Sequence, residues 1–195
     1  MGSQCGGRRA RAGGRGQDSP VNELAVTVIG HDRPGIIADV TEILARLGLN
    51  LTDSTMTRLR GHFAMTLVCA STAGPADAAA VEAALEPLTA DRTLVVTVRR
   101  VAEETTHEPS GNHYVLTVHG ADRLGIVATL SRALAEAGGN ITDLSTRLSG
   151  SLYVVVAEVD LPPKADADEV GGMLRSVAGR LGVDATLRPA EADLL

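Results

Sequence analysis

The sequence predicts an α+β protein built from two tandem ferredoxin-like βαββαβ modules, each an antiparallel sheet with two helices on one face. Three observations carry that prediction. A 29-residue segment occurs twice: residues 25–53 return as residues 115–143, offset by 90. In each copy the hydrophobic period alternates between strand-like and helix-like in the same order. The chain is 44% hydrophobic but only 2% aromatic, with no Trp, so a core has to come from aliphatic side chains.

The first copy reads in order. Residues 24–30 (LAVTVIG) are apolar and β-rich, a strand. A helix pattern follows from Pro34, with Ile36, Ile37, Val40, Ile43, Leu44 and Leu47 on one stripe. Pro34 suits a first helical turn, Asp32 is placed to cap or complement the positive helix start, and Gly48 stops the helix. Residues 49–59 and 62–71 form a hairpin around Arg60-Gly61. A second helix is expected near 76–88 and a last strand at 92–101. The second copy repeats the order at 113–119, 123–137, 139–149, 151–160, 166–181 and 183–188. Between 31–53 and 121–143, 11 of 23 positions are identical. Further on the match slips to an offset of 89, aligning Thr57-Arg58-Leu59 with Thr146-Arg147-Leu148.

The domain plan follows. Residues 1–21 form a disordered Gly/Arg-rich tail, 22–101 the first module, 102–112 a polar linker, 113–189 the second module and 190–195 a short tail. Each module has a size at which single domains fold alone. Arg8, Arg9, Arg11 and Arg15 stand against Asp18 in the first 20 residues. An arginine-rich arm for nucleic acid is one reading of that tail. A solvated tail, or an upstream start with Val21 as the native first residue, is the favoured one, because no aromatic residue accompanies the arginines.

Composition excludes several classes. The chain has 18 basic and 24 acidic residues, net −6, and the body beyond the basic tail is more acidic still. Affinity for a polyanion comes largely from Lys and Arg, so direct nucleic-acid binding is not expected. No apolar run nears the roughly 18 residues of a membrane span, and no secretory signal is evident. Cys5 and Cys69 give no disulfide framework, which points to a reducing, cytoplasmic setting.

The residues able to bind something cluster at the turn after the first strand of each copy: Gly30-His31-Asp32-Arg33-Pro34-Gly35-Ile36-Ile37, and Gly120-Ala121-Asp122-Arg123-Leu124-Gly125-Ile126-Val127. A glycine at a helix start exposes backbone N–H groups, and the helix dipole favours an anion such as a carboxylate there. The next strand opens with Asn50-Leu51 or Asn140-Ile141; if it pairs near the turn, the Asn amide reaches a ligand's amine or carboxylate. Each residue has an equally good structural role. Gly35 and Gly125 would let helix and strand pack closely, the aspartates would complement dipoles, and the asparagines would shape the turn.

D-R-P-G-I-I-A followed by G-L-N-L-T-D within a βαββαβ order resembles the ACT domain, a small-molecule-binding regulatory module. The resemblance covers 22–101 and 113–189. Two such modules without a catalytic or helix-turn-helix domain resemble the glycine cleavage system transcriptional repressor group. The resemblance implies a regulatory protein without enzymatic activity. A small amino acid would bind at an interface between modules, through the backbone of 32–37 and 122–127 and through Asn50 and Asn140 with their neighbours. A protein partner is expected and no cofactor, and a homodimer is expected because symmetric dimers are the commonest oligomers. Leu124 stands where the family has Pro, and if one site alone is used the first is expected. The alternative is a ligand-independent protein-interaction module. An enzyme remnant is disfavoured, since no P-loop, G-x-G-x-x-G or G-x-S-x-G occurs. The five histidines show no metal spacing: His31 reads as an exposed turn residue and His62 as a strand surface residue, so no metal is expected.

Overall fold

The protein is described here from a computed structural model, which covers residues 23–71, 74–101 and 111–190. The tail expected at 1–21 and most of the expected linker lie outside the described residues. The chain divides into two compact units, 1–105 and 106–195.

The first unit runs β1 (Glu23–His31), α1 (Ile36–Arg46), β2 (Leu49–Leu59), β3 (His62–Ser71), α2 (Ala78–Leu85), a short 3-10 turn (Glu86–Thr89) and β4 (Leu94–Arg100). The second runs β5 (Asn112–Ala121), α3 (Ile126–Glu136), β6 (Asn140–Ser149), β7 (Leu152–Leu161), α4 (Ala167–Leu181) and β8 (Val183–Pro189). Strand order is β2-β3-β1-β4 in one sheet and β6-β7-β5-β8 in the other, and every pairing is antiparallel. These are two βαββαβ modules of the α+β class, as the sequence predicts.

The period of two along each strand decides where the core lies. Leu24, Val26 and Val28 of β1 and Phe63, Met65, Leu67 and Cys69 of β3 all face one side. Ile36, Val40 and Leu44 of α1 and Val81 and Leu85 of α2 join them in one cluster, so both helices cover the same face. The second core repeats this with Leu116, Val118, Val155, Ala157 and Val159 under Ile126, Leu130, Leu134, Val170 and Leu174. Fully burying each Val, Leu, Ile, Phe or Met among these contributes about 1.5–3 kcal/mol. The first hairpin closes through Arg60 and Gly61, both at positive φ (50° and 82°), which matches the right-handed strand twist.

Several local expectations need correction. The helices start two or three residues later than the apolar stripe suggested, at Ile36 and Ile126, so Pro34 lies outside the first helical turn. Asn112 belongs to β5 rather than to a linker, and the Ala190 N–H still donates to the His113 carbonyl (2.9 Å). The offset of 89 between copies does not begin in the β2 strand. Leu59 pairs with His62 and Ser149 with Leu152, so the offset stays at 90 through the whole hairpin. It becomes 89 only after β3 and β7, since Gly30 faces Leu94 and Gly120 faces Val183. Thr57-Arg58-Leu59 and Thr146-Arg147-Leu148 therefore match in sequence but sit one register step apart, and one step turns a side chain to the opposite face.

Candidate functional site

Each module bends sharply between its first strand and first helix. Gly35 (φ 90°, ψ −9°) and Gly125 (φ 88°, ψ 5°) occupy the N-cap positions in nearly the same conformation. That conformation is what requires glycine here. A Cβ on Gly35 would meet nothing closer than the Arg33 guanidinium at 3.8 Å, so the close-packing role considered for Gly35 does not hold. Gly30 has that role instead: a Cβ there would lie 2.0 Å from the Thr93 carbonyl oxygen and 2.9 Å from the Leu94 Cα.

Neither α1 nor α3 receives a side-chain cap, whereas Asp77 caps α2 through the Ala79 N–H and Asp166 caps α4 through the Asp168 and Glu169 N–H groups. Asp32 does not cap α1. Its own N–H donates to the Gly61 carbonyl (3.0 Å), and its carboxylate accepts from the Arg58 guanidinium (3.2 Å). The first-turn amides of α1 and α3 thus keep their donors available at the positive end of the helix dipole.

Charges arrange themselves differently around the two turns. Arg33 folds back onto the first turn of α1 to pair with Asp39 (2.9 Å). Arg123 has Thr129 where Arg33 has Asp39, and its guanidinium lies 3.4 Å from where a Cβ of Gly182 would stand. Arg58 faces Phe63 across the sheet, on the helix side, and so reaches Asp32. The register step puts Leu148 at that place in the second module, opposite Tyr153, while Arg147 turns to the Thr146 carbonyl (3.3 Å). The recurrence of Thr-Arg-Leu in both copies reads in the sequence as sheet packing and surface charge, and the register shows instead that Arg58 and Arg147 lie on opposite faces.

A cleft of about 510 Å³ opens at the second turn, lined by Asp122, Arg123, Leu124, Gly125, Ile126, Val127, Ala128 and Tyr153. Tyr153, half-buried at the start of β7, is a lining residue that the sequence did not flag. Leu124 is fully exposed, and Val127 is half-buried. Ile36 and Ile126 are buried in the cores, so at those two positions only the backbone amide is available to a ligand; Ile37 is exposed.

The asparagines do not lie near these turns. Asn50 pairs with Ala70, whose partner on β1 is Glu23, whereas the turn follows His31 at the far end of that strand. Asn140 pairs with Asp160 and so with His113, far from Ala121. Eight strand positions separate the two ends, roughly 26 Å at about 3.3 Å per residue. Within one module, then, Asn50 and Asn140 cannot share a ligand with the turn. Leu51 and Ile141 beside them pack against the cores, while both asparagines are exposed.

Other chemistry is sparse. Among the described residues, no group of three or more His, Cys, Asp and Glu could hold a metal ion. Cys69 is a free, buried thiol whose pKa burial pushes up. Asp91 accepts from the Thr93 N–H (2.9 Å) and hydroxyl (2.7 Å); these bonds, with Arg33 nearby, hold its carboxyl below the usual range. No described helix is long and apolar enough to cross a membrane.

Comparison with known proteins places this architecture. Two family profiles, both of the ACT domain, match residues 22–99 and 114–169. UPF0237 protein MK1213 of Methanopyrus kandleri is 45% identical over 74 residues, which span 36% of this chain and 79% of that protein. UPF0237 protein MJ1558 of Methanocaldococcus jannaschii is 37% identical over 70 residues, 35% of this chain and 78% of that one. A crystal structure of an unknown protein from Galdieria sulphuraria superposes with a TM-score of 0.72 at 30% identity, covering 87% of this chain and 99% of its own. One of a protein described as a glycine cleavage system transcriptional repressor gives 0.60 at 18% identity, covering 85% and 95%, a likeness of fold. ACT domains are regulatory modules that bind small ligands, and the chain belongs to this family, with two ACT modules in tandem.

Proposed function

We propose that this protein is a non-enzymatic regulator. A small amino acid binds at an interface between ACT modules and alters the chain's hold on a protein partner, in the transcriptional control of glycine cleavage or of amino-acid metabolism. The observation that carries this reading is the contrast in capping. Two helices are closed by Asp77 and Asp166, while the two that follow the paired turns present uncapped amides behind a positive-φ glycine. A carboxylate is the group those donors and that dipole end favour.

The strand order supports the reading that modules meet edge to edge. β2 and β6 are edge strands with one free side each. Two modules meeting antiparallel along such edges bring the asparagine end of one sheet to the turn end of the other. The amino acid's carboxylate then takes the turn amides, and its amine takes the Asn50 or Asn140 carbonyl oxygen of the opposing module. A ligand bound by both modules favours the arrangement in which they converge, and that bias is what a partner reads. Symmetric pairing of this kind makes a homodimer the expected assembly. The free Cys69 suits a reducing compartment, and we place the protein in the cytoplasm.

A thermal-shift screen of the twenty amino acids tests this. A ligand at about 100 times its Kd adds about 2.7 kcal/mol to the stability of the native state. The expected result is a raised melting point with one or a few small amino acids, reduced in Asn50→Ala or Asn140→Ala. No response to any of the twenty overturns the reading. A second reading, a ligand-independent interaction module, draws on the sheet face away from the helices, where Ile29 and Val95 are 49% and 58% exposed. An oligomer that persists unchanged with every amino acid favours it.

A further inference from the structure

The geometry points to a transition-metal site on the first module, formed by His31 and His62. It is independent of the amino-acid reading. The two residues are 31 positions apart in sequence, but the β1–β3 register makes them direct cross-strand partners on the sheet face away from the helices. Their ring centres are 5.2 Å apart, and the planes are inclined by 31°. Both are exposed, and among the described residues neither ring makes a hydrogen bond or an ion pair, so each ring has a nitrogen not already engaged by the protein.

The spacing fits one ion. A metal held about 2.0–2.1 Å from a nitrogen of each ring lies about 3.2 Å from each ring centre, and a tetrahedral angle at the metal then sets the centres about 5.2 Å apart. Both rings are exposed, so no packing holds them against turning toward a shared ion. The strands fix the two Cα positions, so the second imidazole binds as an intramolecular step at high effective concentration. Imidazole suits zinc(II), copper(II) and nickel(II), and the tetrahedral angle that this spacing fits is the one zinc(II) prefers, whereas copper(II) and nickel(II) favour angles near a right angle. Two protein ligands leave further coordination positions open to water or to a small chelating molecule. The pair sits next to Asp32 and the α1 turn, so an ion there would charge the same end of the module. The second module lacks the pair: Ala121 and Leu152 stand at the matching positions.

The test uses the full chain carrying Cys5→Ser, so that the tail thiol does not compete. Zinc(II) is titrated by calorimetry and by competition with a coloured chelator. The expected result is one site per chain, weakened roughly tenfold or more by His31→Asn or by His62→Asn, with the double variant little worse than either single one. Ala121→His with Leu152→His, on the same background, adds a second equivalent. Circular dichroism confirms that each variant is folded. Absence of binding, or binding unchanged in both single variants, overturns the proposal.

Discussion

Gly30→Ala isolates a contact that the fold depends on. The added methyl carbon would lie 2.0 Å from the Thr93 carbonyl oxygen and 2.9 Å from the Leu94 Cα, both backbone atoms of β4 or its approach. Neither can rotate away, so β4 has to move. Overpacking of this kind costs about 1–3 kcal/mol. The displaced segment also carries the His31 N–H to Thr93 carbonyl hydrogen bond (3.0 Å), worth about another 1 kcal/mol. The sum, about 2–4 kcal/mol, lowers the melting temperature of a module this size by about 8–30 °C. Gly35→Ala provides the contrast: its methyl makes only an ordinary contact with the Arg33 guanidinium at 3.8 Å, and the cost is the positive φ alone, about 1–2 kcal/mol. Urea and thermal unfolding of the full chain, fitted as separate transitions for the two units, read both variants. A Gly30→Ala protein within about 0.5 kcal/mol of wild type, or less affected than Gly35→Ala, refutes the reasoning.

Leu124→Pro should stabilise the second module by about 0.4–1 kcal/mol, because the turn matches the one that already holds Pro34; chemical denaturation checks this, and a loss would mean the two turns differ. Leu148→Arg places a guanidinium where Arg58 stands in the first module; a crystal structure should show it on Asp122, with a stability change below about 1 kcal/mol because the pair is exposed. Asp91 has a lowered carboxyl pKa, so its contribution to stability is complete above the ordinary aspartate pKa near 3.9 and is lost as pH falls through the lower folded value. Asp91→Asn should therefore flatten the acid limb of the stability–pH curve of the first unit and leave its neutral slope unchanged; acid titrations followed by circular dichroism measure it.

The duplicated turn is the clearest case of what residues alone convey. Glycine at 35 and 125 predicts a special backbone conformation, and the structure gives the two the same φ within 2°. The reason lies in local sterics: positive φ excludes most side chains, so the residue type reports the geometry. Which glycine serves packing was not legible, because the atoms facing Gly30 come from β4, more than sixty residues away. Arg58 was hidden for a related reason. Its match with Arg147 is a similarity of letters, whereas the face a strand residue occupies is set by pairing register, and register is fixed by the whole sheet.

The sequence by itself determined the element order, the two-module plan and the aliphatic faces that form each core, because hydrophobic period and glycine placement are local and repeat in both copies. Only the tertiary structure decided which residues become neighbours. It sent Asn50 and Asn140 to the end of the sheet opposite the turns, brought Arg58 to Asp32, and set His31 beside His62. Those outcomes belong to strand pairing between distant segments, where the contact energy depends on the alignment of whole strands rather than on any short stretch of chain.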